Sequence, residues 1–273
     1  MFRIMSKLSR LGWKWWSLIT ALTILFIVFV VAPAVIYYSR ERNPPNYSDT
    51  SAKAAITYLV NYDSGDGVVN DNKQTLKVIE TGVQKGSETC FHAVTVFDQY
   101  PKRKVNAVIV GSAKITLAGE EIWRSQNDLR AVSEEVMQMD LPIVNTAVTK
   151  VTYSGYQNYP GWPYHLNDSW TYEASYDTNV PLQPNWTDKF RADVVADNAT
   201  VKIGNVEYRC FKVVHTLIDT TNGTPSGGGV GTAITEYWYR DGKSIGPIKI
   251  EDSYNYKGTE TQIMIDAPPL LPL

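Results

Sequence analysis

The stretch TEYWYRDGKSIGPIKIEDSYNYKGTETQIMI (235–265) reads as three strands and two turns. TEYWYR (235–240) is a strand, Asp241-Gly242 a hairpin turn, IGPIKIEDSYNY (245–256) a second strand, Lys257-Gly258 a second turn, and TETQIMI (259–265) a third strand. Glycine supplies the backbone angles that such turns need. Pro247 has no N–H to give to a ladder, so it predicts an edge position or a bulge early in its strand.

Working outward, the apolar period beyond residue 50 is mostly two. In VNAVIVGSAKITLAG (105–119), Val105, Ala107, Ile109, Gly111, Ala113, Ile115 and Leu117 share one parity. This predicts one long, half-buried strand bent at Gly111. DLRAVSEEVMQM (128–139) fits a helical stripe through Leu129, Val132, Val136 and Met139, but a strand is preferred here because of the repeat described below. TTNGTPSGGGVG (220–231) predicts a flexible hairpin loop; no helix start follows its glycines, so it is no phosphate cradle. The expected fold is mainly β, a curved antiparallel sheet or barrel.

Two phrases recur. TCFHAV (89–94) matches RCFKVV (209–214), and EEIWR (120–124) matches EYWYR (236–240) at a similar offset. The pairing suggests two related halves, 51–150 and 151–273. Under that reading the chain's two cysteines, Cys90 and Cys210, occupy equivalent strand positions. If a pseudo-twofold axis relates the halves they can pair as a disulfide; otherwise they are two buried, inert thiols. Mid-strand placement argues against a catalytic or metal role, and His92, His165 and His215 lack ligand spacing. No metal and no cofactor is expected.

The N-terminus differs from the body. From Trp15 to Ser39 no side chain is charged, and WSLITALTILFIVFVVAPAVIYY (16–38) has the length of a bilayer-crossing helix. Trp13, Trp15 and Trp16 stand at one end, and Tyr37 and Tyr38 at the other. Arg3, Lys7, Arg10 and Lys14 precede the span. They place a basic tail, 1–15, in the cytoplasm and the body outside. The competing reading is a signal peptide cleaved after Ala32-Pro33-Ala34. SRERNPPNYSD opens a short linker over 39–50. Of the chain's 26 basic and 28 acidic residues, six and one fall within the first 43, so the body is net −7 and carries no footprint for nucleic acid.

YSGYQNYPGWPYHLNDSWTYEASY (153–176) holds eight aromatic residues. They serve either as a stacking platform for sugar rings, through Trp162 and Tyr164, or as the closure of one end of a β core. Asn46, Asn167, Asn185, Asn198 and Asn222 begin Asn-x-Ser/Thr triplets in polar contexts and are expected at the surface, where they suit glycosylation.

GWPYHLNDSWTY (161–172), YRCFKVV (208–214), EYWYR (236–240) and IGPIKIED (245–252) follow in an order that resembles a loosely defined set of uncharacterised, exported bacterial and archaeal β proteins. Those carry Gly-x-Val-Lys where this chain has Gly246-Pro247-Ile248-Lys249. The architecture also resembles the half-barrel of bacterial lipoprotein carriers, which implies a concavity for an apolar ligand and transfers no catalytic residue. The expected function is therefore non-enzymatic: binding a lipid or other apolar molecule, with Phe91, Trp123, Phe211 and Trp238 lining the cavity. The alternative is a cell-surface adhesion or carbohydrate-binding module built on 153–176. No nucleophile elbow, metal motif or acid–base pair points to an enzyme.

Overall fold

The structure is a computed structural model and describes residues 54–266, apart from 64–67, 98–101, 108–110, 142–143, 180–182, 223–228 and 254–258. The tail, span and linker of 1–50, Asn46 and the Lys257-Gly258 turn lie outside the described residues. No helix among the described residues is long and apolar enough to cross a membrane.

Thirteen strands follow one another: β1 (Ala54–Asp63), β2 (Val68–Lys85), β3 (Glu88–Phe97), β4 (Lys102–Ala107), β5 (Gly111–Ser125), β6 (Ala131–Leu141), β7 (Val144–Gln157), β8 (Ser169–Thr178), β9 (Trp186–Ile203), β10 (Val206–Thr221), β11 (Ala233–Tyr239), β12 (Lys249–Asp252) and β13 (Thr259–Met264). Neighbours in sequence are neighbours in the sheet, except around β4. Two pairings close the ring. β13 returns antiparallel to β1, with Asn61 opposite Thr261, and β3 pairs with β5, with Phe91 opposite Arg124. β4 runs on beside the other end of β5, with Val105 opposite Ala113. Thirteen strands thus make a closed antiparallel barrel of twelve staves, and the residues expected as two halves share one ring.

Alternation explains the walls. Along β8, Trp170, Tyr172 and Ala174 are buried while their neighbours are less so, and along β9 Trp186, Asp188, Phe190, Ala192 and Val194 are buried. These residues face inward. The outward side of the same staves carries Glu173, Lys189, Arg191 and Asp193, with Lys189–Glu173 at 3.8 Å and Arg191–Asp193 at 3.0 Å. A lipid-facing strand would carry an apolar outward band instead. Tyr176 stacks on Trp186 directly across the β8–β9 ladder at 4.3 Å, a cross-strand pair that fixes register. Two-residue turns at Gly86-Ser87 and Gly204-Asn205 join β2 to β3 and β9 to β10; Gly86 and Gly204 have φ of 62° and 57°. A side chain there would be strained.

Two expectations are corrected and a third is met. The stretch 105–119 is not one bent strand: Ala107 pairs with Gly111, so the chain reverses between β4 and β5. Residues 128–139 hold the preferred strand and no helix. Leu129, at φ 65° and fully buried, ends a turn, and β6 begins at Ala131. The strand read across 245–256 is shorter, because β12 spans only Lys249–Asp252. Ahead of it residues 244–248 are buried without joining a regular ladder. Ser244 bonds back to Gly246, and Tyr58 Oη donates to Pro247 O at 2.9 Å.

That inward fold requires Gly246. A Cβ at this position would lie 2.6 Å from Tyr58 Oη and 3.4 Å from Leu76 Cδ2. Gly246→Ala is expected to destabilise the barrel by about 1–3 kcal/mol through overpacking, read as a lower midpoint in urea. Tyr58→Phe in the same background should restore part of the loss by removing the clashing oxygen.

Candidate functional site

One end of the barrel is filled by irregular chain. The turn 126–130, the loop 158–168 and the segment 243–248 all leave strands at this end. Lys243 Nζ donates to Asn127 O at 2.6 Å and Tyr159 Oη to Asp128 O at 2.7 Å. Tyr164 is buried and stacks on Trp170 at 5.5 Å. Trp162, half-buried, meets Phe211 at 5.6 Å and Trp238 at 6.3 Å edge-on. The rings of 153–176 therefore point into the barrel: Tyr164, Trp170 and Tyr172 are core, and Tyr153, Tyr156, Tyr159, Trp162 and Tyr176 pack against it.

Beneath this plug lies a polar centre that the sequence did not announce. Phe211, Val213 and His215 on β10 share the inward face with Glu236 and Trp238 on β11. Trp238 Nε1 donates to Glu236 Oε2 at 2.7 Å. His215 Nε2 lies 3.3 Å from the same oxygen, an ion-pair contact off the line of a hydrogen bond, and its Nδ1 meets Tyr172 Oη at 3.1 Å. Across the lumen, Ile122 and Glu134 pair on β5 and β6, and Tyr153 Oη donates to Glu134 Oε2 at 2.8 Å. The guanidinium of Arg124 stands 5.3 Å from the Trp238 ring, and its Nη1 donates to Leu129 O at 3.1 Å.

The electrostatics follow from enclosure. Burial alone would raise the Glu236 carboxyl, but His215, Arg124 and the Trp238 N–H outweigh it and hold it at about 2. Burial raises Glu134 above the ordinary carboxylate range, against the pull of Tyr153 and Arg124. Burial disfavours the Arg124 charge, yet Glu236 and the surrounding tyrosines raise its pKa. Arg124, Glu134 and Glu236 are surrounded by protein, and yet each keeps some accessible surface, 16% for the Glu236 side chain. Enclosed side chains with accessible surface line an internal space. Eight staves close around packed side chains and 16 leave a channel; twelve leave room between these limits.

Three of the four expected lining residues are inward, Phe91, Phe211 and Trp238; Tyr164 and Trp162, expected as a sugar-stacking platform, pack with them. Trp123 is not. Its register partner is His92, whereas Phe91 faces Arg124, so Trp123 lies on the opposite face of β5 from the lumen. There it is stacked on His92 at 4.4 Å with Lys85 Nζ 3.8 Å above it, and His92 Nε2 contacts Glu121 at 2.9 Å. The EEIWR–EYWYR match was one residue out of register. Arg124, not Trp123, stands where Trp238 stands, and a one-residue slip exchanges the two faces of a strand.

The disulfide is corrected as well. Cys90 and Cys210 are both free and buried. β3 and β10 stand six staves apart in either direction around the ring. With staves about 4.8 Å apart, a ring of twelve is roughly 20 Å across, against a Cα separation below about 7 Å for a disulfide. Burial, then Asp241, pushes the Cys210 thiol up to about 12, and burial, then Glu88, raises Cys90. Both thiols are expected to resist iodoacetamide in the folded chain and to alkylate fully in denaturant without reductant; mass mapping that recovered a linked Cys90–Cys210 peptide would contradict this. Asn167, Asn185, Asn198 and Asn222 are all exposed, although the Asn185 amide nitrogen donates to Asp177 at 3.0 Å.

No family model, no curated protein and no solved structure matches this chain. Fold and site together define its class: a closed twelve-stave antiparallel barrel with an aromatic lumen that holds ionised groups.

Proposed function

We propose that the barrel binds a small, mostly apolar molecule in its lumen, a lipid or another amphiphile with one polar group, and performs no chemistry on it. The observation that carries this reading is the accessible surface that Arg124, Glu134 and Glu236 keep inside the barrel, next to the packed rings of Phe211, Trp238 and Tyr164 and the half-buried Trp162. Aromatic walls with a few convergent polar groups are the usual make-up of a small-molecule site. A wholly apolar ligand fits less well, since it would strip water from these charges without replacing its hydrogen bonds.

Binding is favoured over turnover because Glu236 is committed to Trp238 and His215, and both thiols are fully buried, one residue out of phase with the inward Phe91 and Phe211. The glycan-binding reading has less support, because none of the eight rings of 153–176 is fully exposed. The N-terminal span would hold the barrel at a membrane, body outward, with Ala54 and Met264 both at the plugged end. Native mass spectrometry of the full-length chain, gently extracted, tests the proposal. A ligand mass that persists on the folded chain and is lost on unfolding supports it; a chain that stays empty and takes up no amphiphile from a panel of fatty acids and alcohols sinks it.

A further inference from the structure

We infer that the polar group of the lumenal ligand is a single carboxylate, received by Arg124; this deepens the proposed binding function and rests on it. Arg124 is enclosed in the barrel, yet among the described residues it has one hydrogen-bond acceptor, Leu129 O at 3.1 Å, and no carboxylate within salt-bridge distance. An arginine carries five donors in a fixed fork, so four remain unmatched, and enclosed arginines are ordinarily paired with an anion. Trp238 backs the guanidinium at 5.3 Å from its ring and turns its own N–H to Glu236, so it orients the fork without satisfying it.

The Glu236 charge supports Arg124 at a distance, but among the described residues neither lumenal acid reaches the fork within salt-bridge range. Glu236 Oε2 is held by Trp238 at 2.7 Å and flanked by His215 at 3.3 Å, and Glu134 receives Tyr153 at 2.8 Å. The guanidinium fork offers two parallel bonds to one carboxylate, while the ionised Glu236 nearby repels added negative charge and weighs more against a dianion such as a phosphate monoester than against a monoanion. The aromatic surroundings of the fork, with Trp238 behind it and Tyr153, Tyr156 and Tyr164 near it, favour an aromatic or aliphatic acid.

Two matched probe pairs test this on the full-length chain: 2-naphthoate against 2-naphthylmethanol, and decanoate against decanol, followed by quenching of tryptophan fluorescence or by calorimetry at pH 7. The wild type is expected to bind at least one acid tenfold or more tighter than its alcohol. In Arg124→Gln that preference should vanish, because acid binding weakens far more than alcohol binding does. Equal affinity for acid and alcohol in the wild type overturns the carboxylate assignment and leaves the lumen as a binding site. Binding of none of the four probes overturns the lumenal site and the assignment together. The wild-type comparison stands alone should Arg124→Gln fail to fold.

Discussion

Trp238→Ala is expected to lower the stability of the barrel by about 3–5 kcal/mol, the range for removing a large aromatic from a packed core. Trp238 is 1% exposed and touches every part of the account. It sits opposite Phe211 in the β10–β11 ladder, meets Trp162 of the plug and backs Arg124, and its indole N–H satisfies Glu236. The alanine variant leaves a cavity and also removes a donor from an enclosed carboxylate, so the loss should reach the upper part of that range. Set against a total stability of 5–15 kcal/mol for typical domains, this is a large fraction. Guanidinium denaturation followed by far-ultraviolet circular dichroism measures it. Trp238→Phe, which fills most of the space without the N–H, should recover more than half of the loss. A variant within 1 kcal/mol of wild type would mean that Trp238 is not the centre of the core.

The second large effect concerns acid. Glu236 falls from an ordinary 4.5 to about 2 in the folded chain. A carboxyl whose pKa is depressed by folding contributes stability that is fully present above its unfolded value and is lost as pH falls through the folded one. The window is therefore pH 4.5 down to about 2. At 1.36 kcal/mol per pH unit the contribution is roughly 3 kcal/mol. Glu134 acts with the opposite sign: its raised pKa means that acidification stabilises the fold through this group. Wild type should lose stability steeply between pH 4.5 and 2, and Glu236→Gln should show a shallower loss over that window, measured as urea midpoints at half-unit steps. Parallel profiles for the two proteins would remove Glu236 from the ion-pair role given to it. The amide retains an acceptor for Trp238, so the variant tests charge and not packing.

Much of the architecture was legible from local chemistry. The two-residue period of β8 and the inward parity of Phe91 and Phe211 follow from side-chain alternation alone, whereas Asp241-Gly242 turns the chain without closing a hairpin, since Tyr237 pairs with Lys249. The reversal between β4 and β5 was hidden because Val108-Ile109-Val110 has none of the residues that mark a turn. Pro247 did signal an interrupted strand, but not that 244–248 would dive inward, since that depends on Tyr58, nearly 190 residues away. The site itself was nearly invisible. Arg124, Glu134, His215 and Glu236 are charged or polar residues within strands, and such residues ordinarily mark a solvent face. They became inward only once closure of the ring turned both sides of the lumen toward each other. No spacing in the chain encodes that, because the members of the cluster come from β5, β6, β10 and β11. Trp123 was misread for a related reason: two aromatic phrases were matched by resemblance when the pleat required a match by register.

Closure of the barrel is the claim on which lumen, plug and ligand all depend, and the β1–β13 seam is its most distant pairing. Asn61 and Thr261 lie directly opposite each other there. In a chain carrying Cys90→Ser and Cys210→Ser, the pair Asn61→Cys and Thr261→Cys should oxidise nearly completely to a disulfide, seen as a mobility shift on a non-reducing gel that thiol reduction reverses. The out-of-register pair Asn61→Cys and Thr259→Cys should oxidise far less. Absence of the crosslink in the first pair, or equal yields in both, would mean that the ends of the sheet do not meet and that the chain encloses no lumen.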